Sequence, residues 1–321
     1  MGLLVNKERS YFYALLAVAL SALLLGGCAK SVGKKRVGFS QTETDGPWRI
    51  AETKSMQDEA ARRGYDLVLT NARGDTAQQI SDLENLIAQH VDAIFLAPRE
   101  ELGLAGPIRE AKEAGIPIIL IDREVKGTPG RDFVTFIGSN FVEEGKRAGE
   151  WVVKQTNGQA GVIELLGTAG ASVAIDRHNG FAEAIKDSPG IKILASQDGN
   201  FTRAQGQKVM ENLIQAHGKN ITVVYAHNDE MALGAVQALK AAGMNPGKDV
   251  LVVSVDGERA ALQAIARGDM NVTVECNPRF GPVAFDTYEK LLSGAQLPPK
   301  IINQDRFFDT SNAAQFVNEA Y

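Results

Sequence analysis

Three apolar runs in this sequence end abruptly on groups that can form strong hydrogen bonds. IPIILI stops on Asp122 and Arg123, VLVVSV stops on Asp256, and ITVVYA is followed one residue later by Asn228. Carboxylates, amides and guanidinium forks grip vicinal hydroxyls in pairs. Gln41 and Asn140 also follow apolar runs, while Trp48, Arg49, Arg177 and Phe201 fall in adjoining loops or first helical turns. Indole and phenyl rings cover the C–H face of a sugar ring. No nucleophile or activating histidine flanks these residues. GxSxG and GxGxxG are absent, and GSNFVEEGKR carries Arg147 where a phosphate loop needs Ser or Thr. The set is suited to holding a polyol and not to cutting one, so no enzyme is expected.

Each residue also has a purely structural role open to it. Asn228 suits a helix N-cap, and Asp256 before Gly257 suits a turn. Asp122 and Arg123 could form a surface ion pair of little energetic weight. Arg177 could pair with Asp176, and Trp48 could be core. What favours ligand contact is position: in open α/β sheets, ligands bind beyond the carboxyl ends of the strands.

The elements that must position these side chains are legible as a pattern. From Arg36 onward, RVGFS, YDLVLT, VDAIFLA, IPIILI and FVTFIG alternate with helix-period segments, followed by GVIELL, IKILAS, ITVVYA, VLVVSV and MNVTVE. Continuous apolar strands separated by helices indicate parallel sheets covered on both faces. Ten such runs exceed one small doubly wound sheet, so two sheets are expected, dividing near Ile137–Asn140. Asp75 and Gln78 are placed for a reciprocal capping box ahead of a stripe formed by Ile80, Leu83, Leu86 and Ile87. FGPVAFDTYEKLLSG reads as a helix stopped by Gly294, and its docking is not legible from periodicity.

Composition narrows the function further. The 321 residues suffice for two domains, and the net charge of −5 with dispersed Lys and Arg excludes a basic stripe for nucleic acid. The 4 histidines are scattered, with no HxxxH or CxxC, so neither a built-in metal site nor a cofactor is expected. Lys7 and Arg9 precede an apolar run, Tyr11 to Leu25, too short for a membrane span, which ends in LLGGCAK. Cys28 after Gly26 and Gly27 resembles the lipobox of bacterial lipoproteins. That resemblance implies a signal peptide over 1–27, a lipid anchor on Cys28 and a basic tether over 28–35. Cys276 is the one other cysteine and is expected as a small apolar packing residue.

The segments VGFSQT, HVDAIFLAP, LIDRE, GTAGASVAIDRHNGFAEAIK, GNFTRAQGQKVME, VYAHNDEMALGAVQALK and VDGE resemble the periplasmic sugar-binding proteins of ABC transporters. They fall in the ribose- and galactose-binding superfamily, nearest its galactofuranose-binding members. The resemblance implies two Rossmann-like α/β lobes of type I, joined by a three-crossing hinge. One lobe spans 36–139 plus 276–296 and the other 140–275 plus 297–321. It implies a monosaccharide, galactofuranose or a related aldose, bound in the cleft between them. Asp45, Trp48 and Arg49 match first-loop sugar contacts, Asp122 and Arg123 the pair that grips hydroxyls, and Arg177, Asn228 and Asp256 second-lobe contacts. Asn140 and Glu275 match interdomain strand positions. The implied partners are an ABC permease and its ATPase, reached by a monomer anchored outside the cytoplasm. A sensing protein that reports to a membrane receptor would share this fold and site. A sugar-responsive repressor would need a helix-turn-helix where the export signal stands. TETDGPWR departs from the family's first loop through Gly46 and Pro47, and Arg99 adds a cation near the cleft.

Overall fold

The computed structural model describes residues 35–321, and the expected signal peptide, Cys28 and nearly all of the tether lie outside them. Along the first half run β1 (Arg36–Gln41), α1 (Pro47–Arg63), β2 (Asp66–Asn71), α2 (Thr76–Ala88), β3 (Ala93–Leu96), α3 (Ala105–Glu113), β4 (Ile118–Ile121) and β5 (Phe136–Gly138). Then follow α4 (Phe141–Thr156), β6 (Gln159–Leu166), α5 (Ser172–Ile185), β7 (Gly190–Asp198), α6 (Arg203–His217), β8 (Val223–Ala226) and α7 (Asp229–Ala241). The chain ends with β9 (Leu251–Asp256), α8 (Arg259–Arg267), β10 (Val272–Glu275), α9 (Gly281–Leu292), β11 (Lys300–Ile302), β12 (Phe307–Asp309) and α10 (Ala313–Phe316).

The strands form two sheets, ordered β11-β5-β4-β3-β1-β2 and β12-β10-β9-β8-β6-β7. All pairings are parallel except β10 with β12. β3, β4 and β8 are buried at every position because helices cover both faces, which is why these runs read as unbroken apolar stretches. The chain passes between sheets three times: from Gly138 to Phe141, from Glu275 to Gly281, and from Ile302 to Phe307.

Two details correct the sequence reading. β11 pairs with β5, so residues 300–302 belong to the first sheet, and the third crossing follows Ile302 instead of preceding residue 297. In α2 only half of the capping box forms. Gln78 N–H donates to Asp75 Oδ1 at 3.0 Å, but the Gln78 side chain turns forward to Asp82 Oδ1 at 2.8 Å.

In the second lobe, α4 and α5 approach closely where each presents a glycine to the other's backbone. A Cβ on Gly145 would lie 2.1 Å from Arg177 O, and one on Gly180 would lie 1.9 Å from Val142 O. Only glycine fits at either position. The approach brings Glu144 of α4 against Arg177 of α5, Nε to Oε2 2.8 Å.

Candidate functional site

A cavity of about 500 Å³ lies between the carboxyl edges of the two sheets. Asp45, Trp48, Arg49, Asp122 and Arg123 line it from the first lobe, and Arg177, Phe201, Asn228 and Asp256 from the second. The lobes also touch directly. Glu101 N–H donates to Gly170 O at 3.0 Å, and Glu124 N–H donates to Ser172 Oγ at 2.9 Å.

Asp122 sits just beyond β4 with φ 65°, and Arg123 N–H closes the turn onto Ile121 O at 2.7 Å. Such a conformation costs a non-glycine residue about 1–3 kcal/mol and persists only where its surroundings enforce it. Here the enforcing groups are cations. Arg49 Nη2 lies 2.7 Å from Asp122 Oδ2, an ion pair lacking hydrogen-bond alignment, and Arg123 Nε lies 3.5 Å from the same oxygen. Arg49 Nη1 donates to Glu52 Oε2 at 2.8 Å, and Gln41 Nε2 donates to that same oxygen at 2.8 Å. Arg123 Nη1 donates to Arg99 O at 3.1 Å, while its buried Nε has no hydrogen-bond partner.

Burial and the neighbouring Arg49 charge push the Arg123 pKa down to about 10, with Asp122 and Glu43 compensating only in part. Burial opposes the charge on Arg49 as well, but Asp122, Glu52 and Glu43 outweigh it and its pKa rises. Burial lifts Glu52 to about 7 against the pull of Arg49. For Glu43 burial acts upward, and Arg49 and Arg123 together hold it below the ordinary carboxylate value.

The rings are fixed by their own contacts. Trp48 Nε1–H donates to Cys276 O at 2.8 Å, and the Arg49 guanidinium lies 4.6 Å from the Trp48 ring centroid. Phe201, at φ 58°, presents its ring 5.3 Å from the Arg123 guanidinium. Gly167 admits that ring, since a Cβ there would lie 2.0 Å from Phe201 Cζ.

In the second lobe Arg177 pairs with Glu144, donates to His227 O, and places Nη2 3.6 Å from Asp256 Oδ1. Burial raises the Asp256 pKa well above its usual range, beyond what Arg177 reverses, with Asp229 and Glu144 adding to the rise. Asp229 lies behind it, accepting from Ser254, from Thr273 Oγ1 at 2.7 Å and from Glu258 N–H at 2.7 Å. Asn228 both caps α7, accepting from Met231 N–H at 3.0 Å, and donates to Phe201 O at 3.1 Å.

The fold and this cavity agree with a direct comparison. The profile of the periplasmic binding protein domain matches residues 37–296. The chain belongs to the periplasmic binding protein family. Among relatives of this periplasmic binding protein, the galactofuranose-binding protein YtfQ of Escherichia coli K12 is 45% identical over 268 residues, covering 83% of this chain and 84% of YtfQ. A crystal structure of a galactofuranose-binding protein superposes with TM-score 0.86 at 41% identity, covering 89% and 98% of the two chains. The arabinose-transporter binding protein of Shewanella sp. ANA-3, bound to α- and β-L-arabinofuranose, gives TM-score 0.86 at 42% identity over 89% of this chain and 95% of its own. Like these relatives, the chain is a binding protein and not an enzyme.

Three residues expected at the site of this periplasmic binding protein do not line the cavity. Gln41 turns its amide inward to Glu52 and Thr53 and braces Arg49 from behind. Asn140 is exposed and caps α4, accepting from Glu143 N–H at 3.1 Å. Glu275, where the second crossing begins, is held by the fork of Arg306 from the third, with bonds of 2.9 and 2.8 Å. The Arg99 side chain pairs with Glu100, and its carbonyl supports Arg123. Conversely, Glu43, Asn71, Arg73, Asn200, Arg203 and Glu230 line the cavity and were not anticipated. Asn71 ends β2 just as Asp256 ends β9, so the strand-end rule applied to YDLVLTN would have found it.

Proposed function

We propose that this protein captures a monosaccharide in its aldofuranose form between the two lobes and delivers it to an ABC importer. The observation that carries this is the cavity wall itself. Carboxylates, guanidinium forks and an amide from both lobes converge with the Trp48 and Phe201 rings, which is polyol chemistry. The galactofuranose and arabinofuranose named for its relatives support a five-membered ring. Asp45, Trp48, Arg49, Asp122, Arg123, Arg177, Phe201, Asn228 and Asp256 are the proposed contacts. The proposed lobes are the two sheets with their covering helices, exchanged at the three crossings. Export with a lipid on Cys28 completes the reading, and the carrier acts as a monomer beside its permease and ATPase.

A thermal-shift screen followed by calorimetric titration tests the ligand. D-galactose, L-arabinose, D-fucose, D-ribose and D-fructose are the panel. At 100 times Kd a ligand adds about 2.7 kcal/mol of stability. Failure of every sugar to raise the midpoint overturns the reading. Intact-mass analysis of the membrane fraction tests the anchor: a mature N-terminus other than Cys28, or no added lipid mass, rejects it.

A further inference from the structure

The cavity is larger than the ligand just proposed. An enclosed volume of about 150 Å³ accommodates benzene's roughly six heavy atoms, so the about 500 Å³ here has room for roughly twenty, against roughly a dozen in a hexose. The surplus lies toward the mouth. Asp45, Arg73 and Asn200 line the cavity and are exposed, so the space opens to solvent along them. Inside, Arg49, Asp122 and Arg177 are committed to partners within the protein. At the mouth the side chains of Asp45, Arg73 and Asn200 have no hydrogen-bond or ion-pair partner among the described residues, and they come from both lobes.

The loop geometry holds two of them in place. Arg73 has φ 53° and its N–H donates to Asn71 Oδ1 at 2.9 Å, fixing the short turn after β2. Asn200 has φ 52°, in the turn that precedes Phe201. The two free groups therefore stand on opposite lips, one guanidinium fork and one amide, and the Asp45 carboxylate lines the cavity from the same lobe as Arg73.

We propose that this mouth is an outer subsite for a glycosidic substituent, so that the protein also takes furanosides and furanosyl disaccharides, with the second residue between Arg73 and Asn200. The proposal rests on the sugar-binding reading above and extends it. A neutral, hydroxyl-rich substituent fits better than an anionic one, because Glu43, Asp45 and Glu230 share the wall with the arginines.

Calorimetric titration with D-galactose, methyl β-D-galactofuranoside and a galactofuranosyl disaccharide tests it, with wild type, Arg73→Ala and Asn200→Gly. Both positions are exposed, and glycine suits the positive φ at residue 200, so both variants retain the fold. The expected result is disaccharide affinity equal to or above that of the monosaccharide. Each variant then lowers disaccharide affinity about five- to tenfold and leaves the monosaccharide within about twofold. Monosaccharide binding with disaccharide affinity more than about a hundredfold weaker overturns the outer subsite and leaves the sugar reading intact. Disaccharide binding that neither variant alters also overturns it. Absence of binding by all three sugars overturns the sugar reading itself, and the subsite with it.

Discussion

Arg49 Nη2 lies 2.7 Å from Asp122 Oδ2, linking the first turn of α1 to the end of β4, with both side chains more than nine-tenths buried. The charges that end the IPIILI run are therefore the floor of the cavity and not a surface pair. Arg123 Nε lies 3.5 Å from the same oxygen. Removing the carboxylate leaves two buried cations facing each other. Asp122→Ala is expected to cost about 3–5 kcal/mol of stability, the usual penalty for breaking a buried pair, and to weaken sugar binding by at least about tenfold. Urea denaturation and calorimetry measure the two effects. Lys208→Ala, on an exposed face of α6, is the control and leaves both nearly unchanged. Stability within about 0.5 kcal/mol of wild type for Asp122→Ala would show that water compensates both arginines.

The sequence displayed most of this arrangement because burial on both faces leaves β4, β8 and β9 no charged or amide side chain before their ends. Asp122, Asn228 and Asp256 stood out for that reason. It did not display which way a strand-end side chain turns. Gln41 ends β1 as Asp256 ends β9, yet its amide packs against α1. The ten apolar runs gave β1 to β10, whereas β11 and β12, KII and FFD, stand alone between polar and proline residues with no longer apolar run to mark them. Nor does a helix pattern display every buried polar residue: Asp82, between Ile80 and Leu83 of the α2 stripe, is buried and takes the Gln78 amide.

Phe201 depends on a missing side chain. A Cβ on Gly167 would lie 2.0 to 2.4 Å from three atoms of its ring. Gly167→Ala is expected to push the ring from the cavity wall and off the Arg123 guanidinium. Sugar affinity then falls about 10- to 100-fold through lost ring contact. The thermal midpoint moves by only a few degrees, because the ring is half-exposed and is free to swing outward. Unchanged affinity would mean the Phe201 face does not touch the sugar.

The acids behind Asp256 set a pH dependence. Burial pushes Glu258 up to about 10 from a usual 4.5, with Asp229 and Glu230 adding to the rise, and its Oε2 is buried without a hydrogen-bond partner. Between those two values the folded protein holds a proton that the unfolded chain has released, so stability falls as pH rises across that window. Below about 4.5 both states are protonated and the contribution is constant. Asp256 acts in the same direction. Glu258→Gln keeps the shape and cannot ionise. Its thermal midpoint is expected to fall less between pH 6 and pH 9 than that of wild type. Parallel midpoint curves for the two proteins would reject the assignment of that proton to Glu258.

Closure of the cavity is read from a contact outside it. Ser172 Oγ accepts the Glu124 N–H at 2.9 Å, next to the Glu101 N–H to Gly170 O bond of 3.0 Å, and Ser172 is not part of the cavity lining. These bonds exist only while the lobes meet, so they stabilise the closed form and not the sugar contacts themselves. Apparent affinity scales with the fraction of protein able to close. Ser172→Ala removes the acceptor and strands one amide, which is expected to weaken sugar binding about fivefold. The loss should fall on the dissociation rate, because the open form that meets the sugar is the same in both proteins. Stopped-flow mixing separates the two rates. Solution scattering at saturating sugar checks that the variant still reaches the compact form. A fivefold change confined to the association rate would place Ser172 in the open state's encounter with ligand, and an unchanged Kd would show that these interlobe bonds contribute nothing to closure.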